Sequence, residues 1–300
     1  MNSTLLRRDF LKTTGAASAG LMGLCGRTDA APAAEPGAPR PRLFPGCCAY
    51  SYRKYMEKGP MTMEDFILKA VELGVTGIEV TTYYLKSTEP AYLAGLRRFA
   101  YKQGMPLFGL SIGTQMCQSD EGKRKDAIET IRKWVDATDL LGASHLRVFG
   151  DECPPGSTPE QGIQWVAETM KSACEYAATK GIILGIESHY GLTSKASNVL
   201  EILKRVDSPF AGCNLDVSNF PENPYEQIEA CVPFATHAHV RDTYGEPKKP
   251  LDLERVWSIF AKAGYKGLMS AEYEGEEDPT TGVPKLVEKI KTLCRKYSSA

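Results

Sequence analysis

Four residues of this 300-residue chain could do chemistry together: Glu187, Asp216, His239 and Glu272. Each follows or closes an apolar run, in GIILGIESHYG, FAGCNLDVSNF, FATHAHVRD and GLMSAEYEG. The intervals between them are 29, 23 and 33 residues, each the length of one strand, one helix and their loops. Three carboxylates and one imidazole are hard or borderline donors. They suit a divalent ion such as Mn²⁺, Mg²⁺ or Co²⁺ better than a thiolate-type Zn²⁺ site. Such an ion could polarise the carbonyl and hydroxyl oxygens of a bound sugar. Glu187 and Glu272, on opposite sides of a flat substrate, could take a proton from one face and return it to the other. Taken singly, each residue has a plainer reading: a glutamate at a strand end is ordinarily solvated, and His239 could be a satisfied rim residue. His237, two residues earlier, is expected to be a core residue or to support a ligand. Four such residues, one in each consecutive unit and each at an apolar run, are harder to ascribe to chance.

Four strand ends meet at one point only if the strands are parallel and close on themselves. From Leu43 onward the chain alternates strand and helix. The strands are expected at 43–52, at TGIEVTTYY up to Tyr83, at MPLFGLSIGTQM, at SHLRVFGD, at 182–186, at PFAGCNLD, at FATHAHVRD and at YKGLMSAEYEG. The first helix has Thr62 as N-cap and Gly74 as C-cap, and the second stops at Gly104. A charged helix spans 122–141, with Ile128, Ile131, Val135 and Leu140 as its apolar side. Thr158-Pro159 opens a helix that ends at Gly181. Helices at 194–206 and 224–231, at LDLERVWSIFAKAG and at 284–297 complete the set, with DTYGEPKKP as a polar loop. Eight strands and eight helices in strict alternation predict a TIM (β/α)8 barrel. A doubly wound open sheet would bring a glycine-rich phosphate turn after an early strand, and none is present.

Composition fits one large globular core, with 42% hydrophobic and 24% charged residues and a net charge of −1. That balance lacks the basic excess of a nucleic-acid partner. Residues 1–34 resemble a twin-arginine export signal: Arg7-Arg8 precede Asp9, Phe10, Leu11 and Lys12, then a weakly apolar run to Leu24 and small residues at 31–34. The run falls short of the roughly 20 residues that span a bilayer, so no stable membrane span is expected. The expected destination is the periplasm. Lipidation at Cys25 is a poor fit because Leu24 precedes it. Residues 35–42 read as a Pro/Ala-rich linker, and 43–300 as the barrel. The remaining cysteines sit mostly on apolar positions and read as buried thiols, with no deducible pairing.

With these motifs in hand, the chain from Leu43 to its end resembles the xylose isomerase-like barrels, the sugar phosphate isomerases and epimerases. The resemblance rests on IESH, NLDVSN, HAHVRD and SAEYEG, with LRVFGD in support. It implies a metal bound by Glu187, Asp216, His239 and Glu272, with Glu187 and Glu272 as the acid–base pair. Mn²⁺ is the first expectation, with Mg²⁺, Co²⁺ and Zn²⁺ as alternatives. Two departures bear on substrate handling. The epimerases carry a histidine three residues after the strand-six aspartate, where this chain has Asn219, and an arginine in the loop after strand seven, where this chain has Lys248 and Lys249 with Arg241 closer in. His189 is expected to contact substrate or a ligand carboxylate, with a structural hydrogen bond as the alternative. Asn219, Arg241, Arg147 and Tyr52 are the other expected substrate contacts, and Tyr83 is a further mouth candidate. The expected partners are a small carbohydrate and the export machinery, with further copies of the chain left open. The function expected first is a metal-dependent sugar isomerase or epimerase. An exported 3-keto-glycoside lyase or hydrolase on the same site is the alternative. A nuclease like endonuclease IV needs more histidines than the four present, and a silent sugar-binding protein is the remaining reading.

Overall fold

The computed structural model describes residues 40–298. The twin-arginine-like segment, Cys25 and most of the linker lie outside the described residues. Eight parallel strands form a closed barrel: β1 (Arg42–Cys48), β2 (Gly77–Thr81), β3 (Leu107–Ser111), β4 (His145–Val148), β5 (Ile183–Glu187), β6 (Ala211–Asp216), β7 (Ala235–Val240) and β8 (Lys266–Ala271). Each strand pairs with its neighbours in sequence, and β1 closes the ring on β8 through Arg42↔Lys266 to Cys47↔Ala271. The helices between and after them are α1 (Met63–Leu73), α2 (Pro90–Lys102), α3 (Glu121–Leu141), α4 (Pro159–Lys180), α5 (Ala196–Val206), α6 (Pro224–Cys231), α7 (Leu253–Lys262) and α8 (Pro279–Tyr297). The TIM barrel expected from the alternation is the fold observed. No helix among the described residues is long and apolar enough to cross a membrane.

Local chemistry sets the boundaries. Thr62 Oγ1 accepts from Asp65 N at 3.2 Å while Asp65 Oδ2 accepts from Thr62 N at 2.9 Å, which satisfies two free donors at the start of α1. Thr158 and Gln161 repeat that exchange at α4, and Gly74 takes the left-handed backbone (φ +66°) that ends α1. The apolar layer lies between barrel and helices, with Phe66, Ile131, Trp257 and Phe260 wholly buried.

The structure shifts some expected boundaries. β1 ends at Cys48, and residues 49–52 turn into a 3-10 helix followed by the short helix Arg53–Met56. Ser51 causes the turn: its Oγ donates to Ala271 O and accepts from Tyr273 N, both at 2.9 Å, so this segment bonds to the end of β8 and leaves the ladder. On α3 it is Leu141, 1% exposed, that packs inward, while Leu140 is 39% exposed, because Ala137, Thr138 and Leu141 share the inner face. α8 starts at Pro279 and not at Pro284, since Asp278 Oδ1 caps it by accepting from Thr280 N at 2.9 Å. The polar loop after β7 contains a two-residue antiparallel ribbon, Thr243–Tyr244 with Lys249–Pro250.

Inside the barrel, beneath the mouth, the filling is polar. Glu79, Ser111, His145, Asn214 and His237 are all buried there. His237 stacks on Phe108 at 4.8 Å between ring centroids, and His145 Nε2 lies 3.1 Å from Thr236 Oγ1. His145 occupies the interior because β5 has Gly185 beside it: a Cβ at that position would come within 2.4 Å of His145 Nε2.

Candidate active site

Parallel strands place their C-terminal ends on one rim, and the candidate ligands stand there. Glu187 is the last residue of β5 and Asp216 the last of β6. His239 is the residue before the last on β7, and Glu272 follows β8 directly. Register brings them side by side. Asp216 pairs with His239 across β6 and β7, and Glu272 N donates to Val240 O at 3.0 Å. His239 Nδ1 lies 3.7 Å from Glu187 Oε1 and 3.4 Å from Glu272 Oε1. Ligand atoms of Glu187, Asp216, His239 and Glu272 all fall within 4.8 Å of one another, and all four residues are buried. The sequence-predicted ligands are therefore one cluster.

Their electrostatics follow from burial and two arginines. Arg147, on β4, stands with its Nε 2.9 Å from Glu187 Oε2. Burial alone would raise the Glu187 carboxyl, but Arg147 and His239 bring it down to about 2. Arg241, just past β7, places Nη2 2.7 Å from Asp216 Oδ2 and also pairs with Glu274. Asp216 accepts further from Ser218 N at Oδ1 and from Asn219 Nδ2 at Oδ2, each at 2.8 Å. Even so, burial, with Glu272 and Glu187 close by, pushes the Asp216 carboxyl up. Burial likewise raises Glu272, with Glu187 adding to it. Three acids packed in a dry pocket resist full ionisation, and a cation among them would relieve that resistance. The donor set and its spacing thus fit a divalent ion, which these four residues could hold.

Glu79 is a residue the sequence reading missed. It lies inside β2 and is wholly buried. Its Oε1 lies 3.0 Å from His239 Nε2 and accepts from Ser111 Oγ, and its Oε2 lies 3.6 Å from His237 Nε2. Burial would raise its carboxyl, but His239, His237 and Arg147 together outweigh burial and lower it. With Glu79 accepting a hydrogen bond from Nε2–H, Nδ1, which faces Glu187 and Glu272, is the nitrogen that would face an ion held there. The available signal was a lone acid in TGIEVTT, in a strand otherwise suited to burial on both faces. Cys48, at the end of β1, also reaches the cluster, with Sγ 3.8 Å from Glu272 Oε1.

The expected substrate contacts divide into three groups. Arg147, Asn219 and Arg241 are engaged with the carboxylates: Asn219 bridges Ser188 O, Asp216 and Arg241. His189 lies at the mouth between Phe149 and Tyr190, at ring distances of 4.4 and 4.3 Å. Tyr52 is not at the mouth. It is wholly buried against Phe66 at 6.0 Å, because the turn at Ser51 sends it into the core. Tyr83 and Tyr190 stand half exposed beside a cavity of about 700 Å³ that Thr114, Gln115, Gln118, Phe149 and Asp151 also line. A second cavity, of about 360 Å³, touches Tyr190, Asn219, Arg241, Lys248 and Glu274. Asp151, at φ +60°, has a carboxyl that burial raises to about 6.

Comparison with known proteins agrees with the geometry. The profile of the xylose isomerase-like TIM barrel family matches residues 67–293. A search of curated protein sequences finds no match. Among solved structures, a xylose isomerase domain protein from Planctomyces limnophilus is similar at 15% identity and TM-score 0.68, covering 86% of this chain and 99% of that one. A D-allulose 3-epimerase from Methylomonas sp. is similar at 19% identity and TM-score 0.69, covering 85% and 99%. The 3-keto-D-glucoside 4-epimerase of E. coli is similar at 14% identity and TM-score 0.66, covering 84% and 100%. At such identities the likeness is one of fold.

Two outcomes follow from these contacts. Glu79→Gln is expected to weaken Mn²⁺ binding by about 10- to 100-fold, measured by titration calorimetry, because the imidazole loses its charged partner. An unchanged affinity would remove Glu79 from this role. Asp151→Asn is expected to stabilise the fold above pH 6. The folded-state carboxyl is raised from 3.8 to about 6, so the stability contributed by its proton is complete below 3.8 and lost as pH rises through about 6. Asn tolerates the positive φ, and after allowance for solvent screening the gain at pH 8 is about 1–2 kcal/mol in urea unfolding, vanishing near pH 4.

Proposed function

The chain belongs to the xylose isomerase-like TIM barrel family, and from that premise we propose that it is a divalent-metal-dependent isomerase or epimerase of a sugar or sugar derivative. The observation that carries this reading is the pair of carboxylates flanking one imidazole nitrogen, with Asp216 in the same cluster. A divalent ion held by Glu187, Asp216, His239 and Glu272, with Mn²⁺ first and Mg²⁺, Co²⁺ or Zn²⁺ next, supplies polarisation of a carbonyl and its neighbouring hydroxyl. Glu187 and Glu272 then handle the proton on the carbon beside that carbonyl. They stand on either side of His239 Nδ1, at 3.7 and 3.4 Å, which suits them to act from opposite faces of a substrate. One takes the proton from one face and the other returns a proton to the opposite face. Arg147 keeps Glu187 oriented, and Arg241 with Asn219 does the same for Asp216. The names of the similar structures, sugar epimerases among them, support the substrate class. The twin-arginine-like start supports export to the periplasm.

A second reading has its own observation. The mouth has two lobes that both touch Tyr190, and the larger is lined with aromatic rings and amides. Such a cleft suits a glycoside with a second unit beside the reacting sugar. On a 3-keto-glycoside, proton removal from C2 followed by loss of the C1 substituent would cleave the glycosidic bond. Asp151, in the wall of that lobe, supports proton delivery to the leaving oxygen.

For the first reading, protein loaded with Mn²⁺ and incubated with ketoses in D₂O is expected to place deuterium beside the carbonyl. Chelation should stop the exchange, and Glu272→Gln should slow it by at least about 100-fold. No exchange with any ketose would sink the assignment and favour a silent binding protein, and unaltered turnover in the variant would make Glu272 a bystander and sink its acid–base role. For the second, an aryl 3-keto-glucoside should release its phenol without net epimerisation. Epimerised but intact glycoside would decide against cleavage.

A further inference from the structure

The two loops that wall the larger mouth cavity each bring a cysteine to one spot. Cys117 follows β3 and Cys153 follows β4, and their sulfurs lie 3.8 Å apart. Both rest against α4 at Gly162. A Cβ there would come within 2.5 Å of Cys153 Sγ and 3.0 Å of Cys117 Sγ, so the missing side chain makes room for the pair. The two cysteines are 36 residues apart in the chain, so the fold and not local sequence joins them. We propose that Cys117 and Cys153 are a disulfide site that ties the β3–α3 loop to the β4–α4 loop, with a small-molecule or protein disulfide as oxidant.

Access singles out this pair. Of the eight cysteines among the described residues, seven are buried, and Cys153 alone is partly exposed. Cys213 and Cys231, by contrast, are both sealed at 0% exposure. Thiol–disulfide exchange needs an attacking thiolate that the oxidant can reach. Cys153 is that group. Burial, and then the neighbouring Cys153, raise the Cys117 thiol to about 12, so it stays protonated while Cys153 reacts first. In the first step the Cys153 thiolate attacks one sulfur of the oxidant, forms a mixed disulfide and expels a thiolate. In the second, Cys117 gives up its proton to the expelled thiolate and attacks Cys153 Sγ, releasing the other half of the oxidant. Two protein thiols lose two electrons and two protons, and the oxidant leaves as two thiols. The sulfurs must close from 3.8 Å to about 2 Å, a movement within the reach of two surface loops. The bond would fix the wall formed by Thr114, Gln115 and Gln118 to that formed by Phe149 and Asp151. An exported chain meets disulfide oxidants as a matter of course.

The test uses the full chain, reduced, freed of reductant and exposed to oxidised glutathione before alkylation and peptide mapping. The expected result is a cross-linked peptide pair joining Cys117 to Cys153 with no glutathione retained. The thermal midpoint should rise by on the order of 5 °C, reversibly with dithiothreitol. Cys117→Ser and Cys153→Ser should each lose both the link and the shift. Retention of glutathione on Cys153, full alkylation of both thiols, or a link to any other cysteine would overturn the proposal.

Discussion

Like charges in a dry pocket need counter-charge, and this requirement governs the C-terminal end of the barrel. Glu187, Asp216 and Glu272 are buried together, and water does little there to screen them. Two guanidiniums answer. Arg147 reaches Glu187 from the neighbouring strand, and Arg241 reaches Asp216 from just past β7. His239 sits among the carboxylates and is itself tied to Glu79 below. Removing either arginine would leave a buried carboxylate exposed to its like-charged neighbours, so the arginines belong to the site as much as the acids do.

Barrel closure makes the arrangement possible. The strands bring their ends to one rim, and register fixes which residues face each other, as Asp216 faces His239. Below the rim the interior is polar, with His145, His237, Asn214 and Glu79 in place of the branched apolar side chains that commonly fill such barrels. These residues support the ligands from beneath. The apolar stabilisation lies outside the strands, under the helices, where Phe66, Trp257 and Phe260 pack. Stability and chemistry thus occupy different layers of the same strands.

The four clustered residues were legible because each stood at the end of an apolar run and the runs recurred at the spacing of one barrel unit. Helix ends were legible where a capping residue marked them, as at Thr62 and Thr158. Glu79 was not, because a single acid inside a strand gives no sign of whether it faces solvent or a histidine 160 positions away. Tyr52 was placed at the mouth because the apolar run gives no sign of the turn that Ser51 makes toward β8. Arg147 and Arg241 stand at the rim as expected, and their pairing with Glu187 and Asp216 adds what the residues near them in sequence could not show. Of the polar lining only His237 was foreseen, as a core residue or a support for a ligand; His145 and Asn214 stand on other strands and carried no such signal.

The arginine partnership has a bearing on selectivity. Glu187, Asp216 and Glu274 pair with the two guanidiniums while Glu79 and Glu272 lie against His239, so acids outnumber fixed bases in this small volume. A doubly charged cation narrows that imbalance without reversing its sign. An excess of that sign would oppose a dianionic phosphoester and act little on an uncharged polyol. Ionic strength should then alter capture of the latter very little.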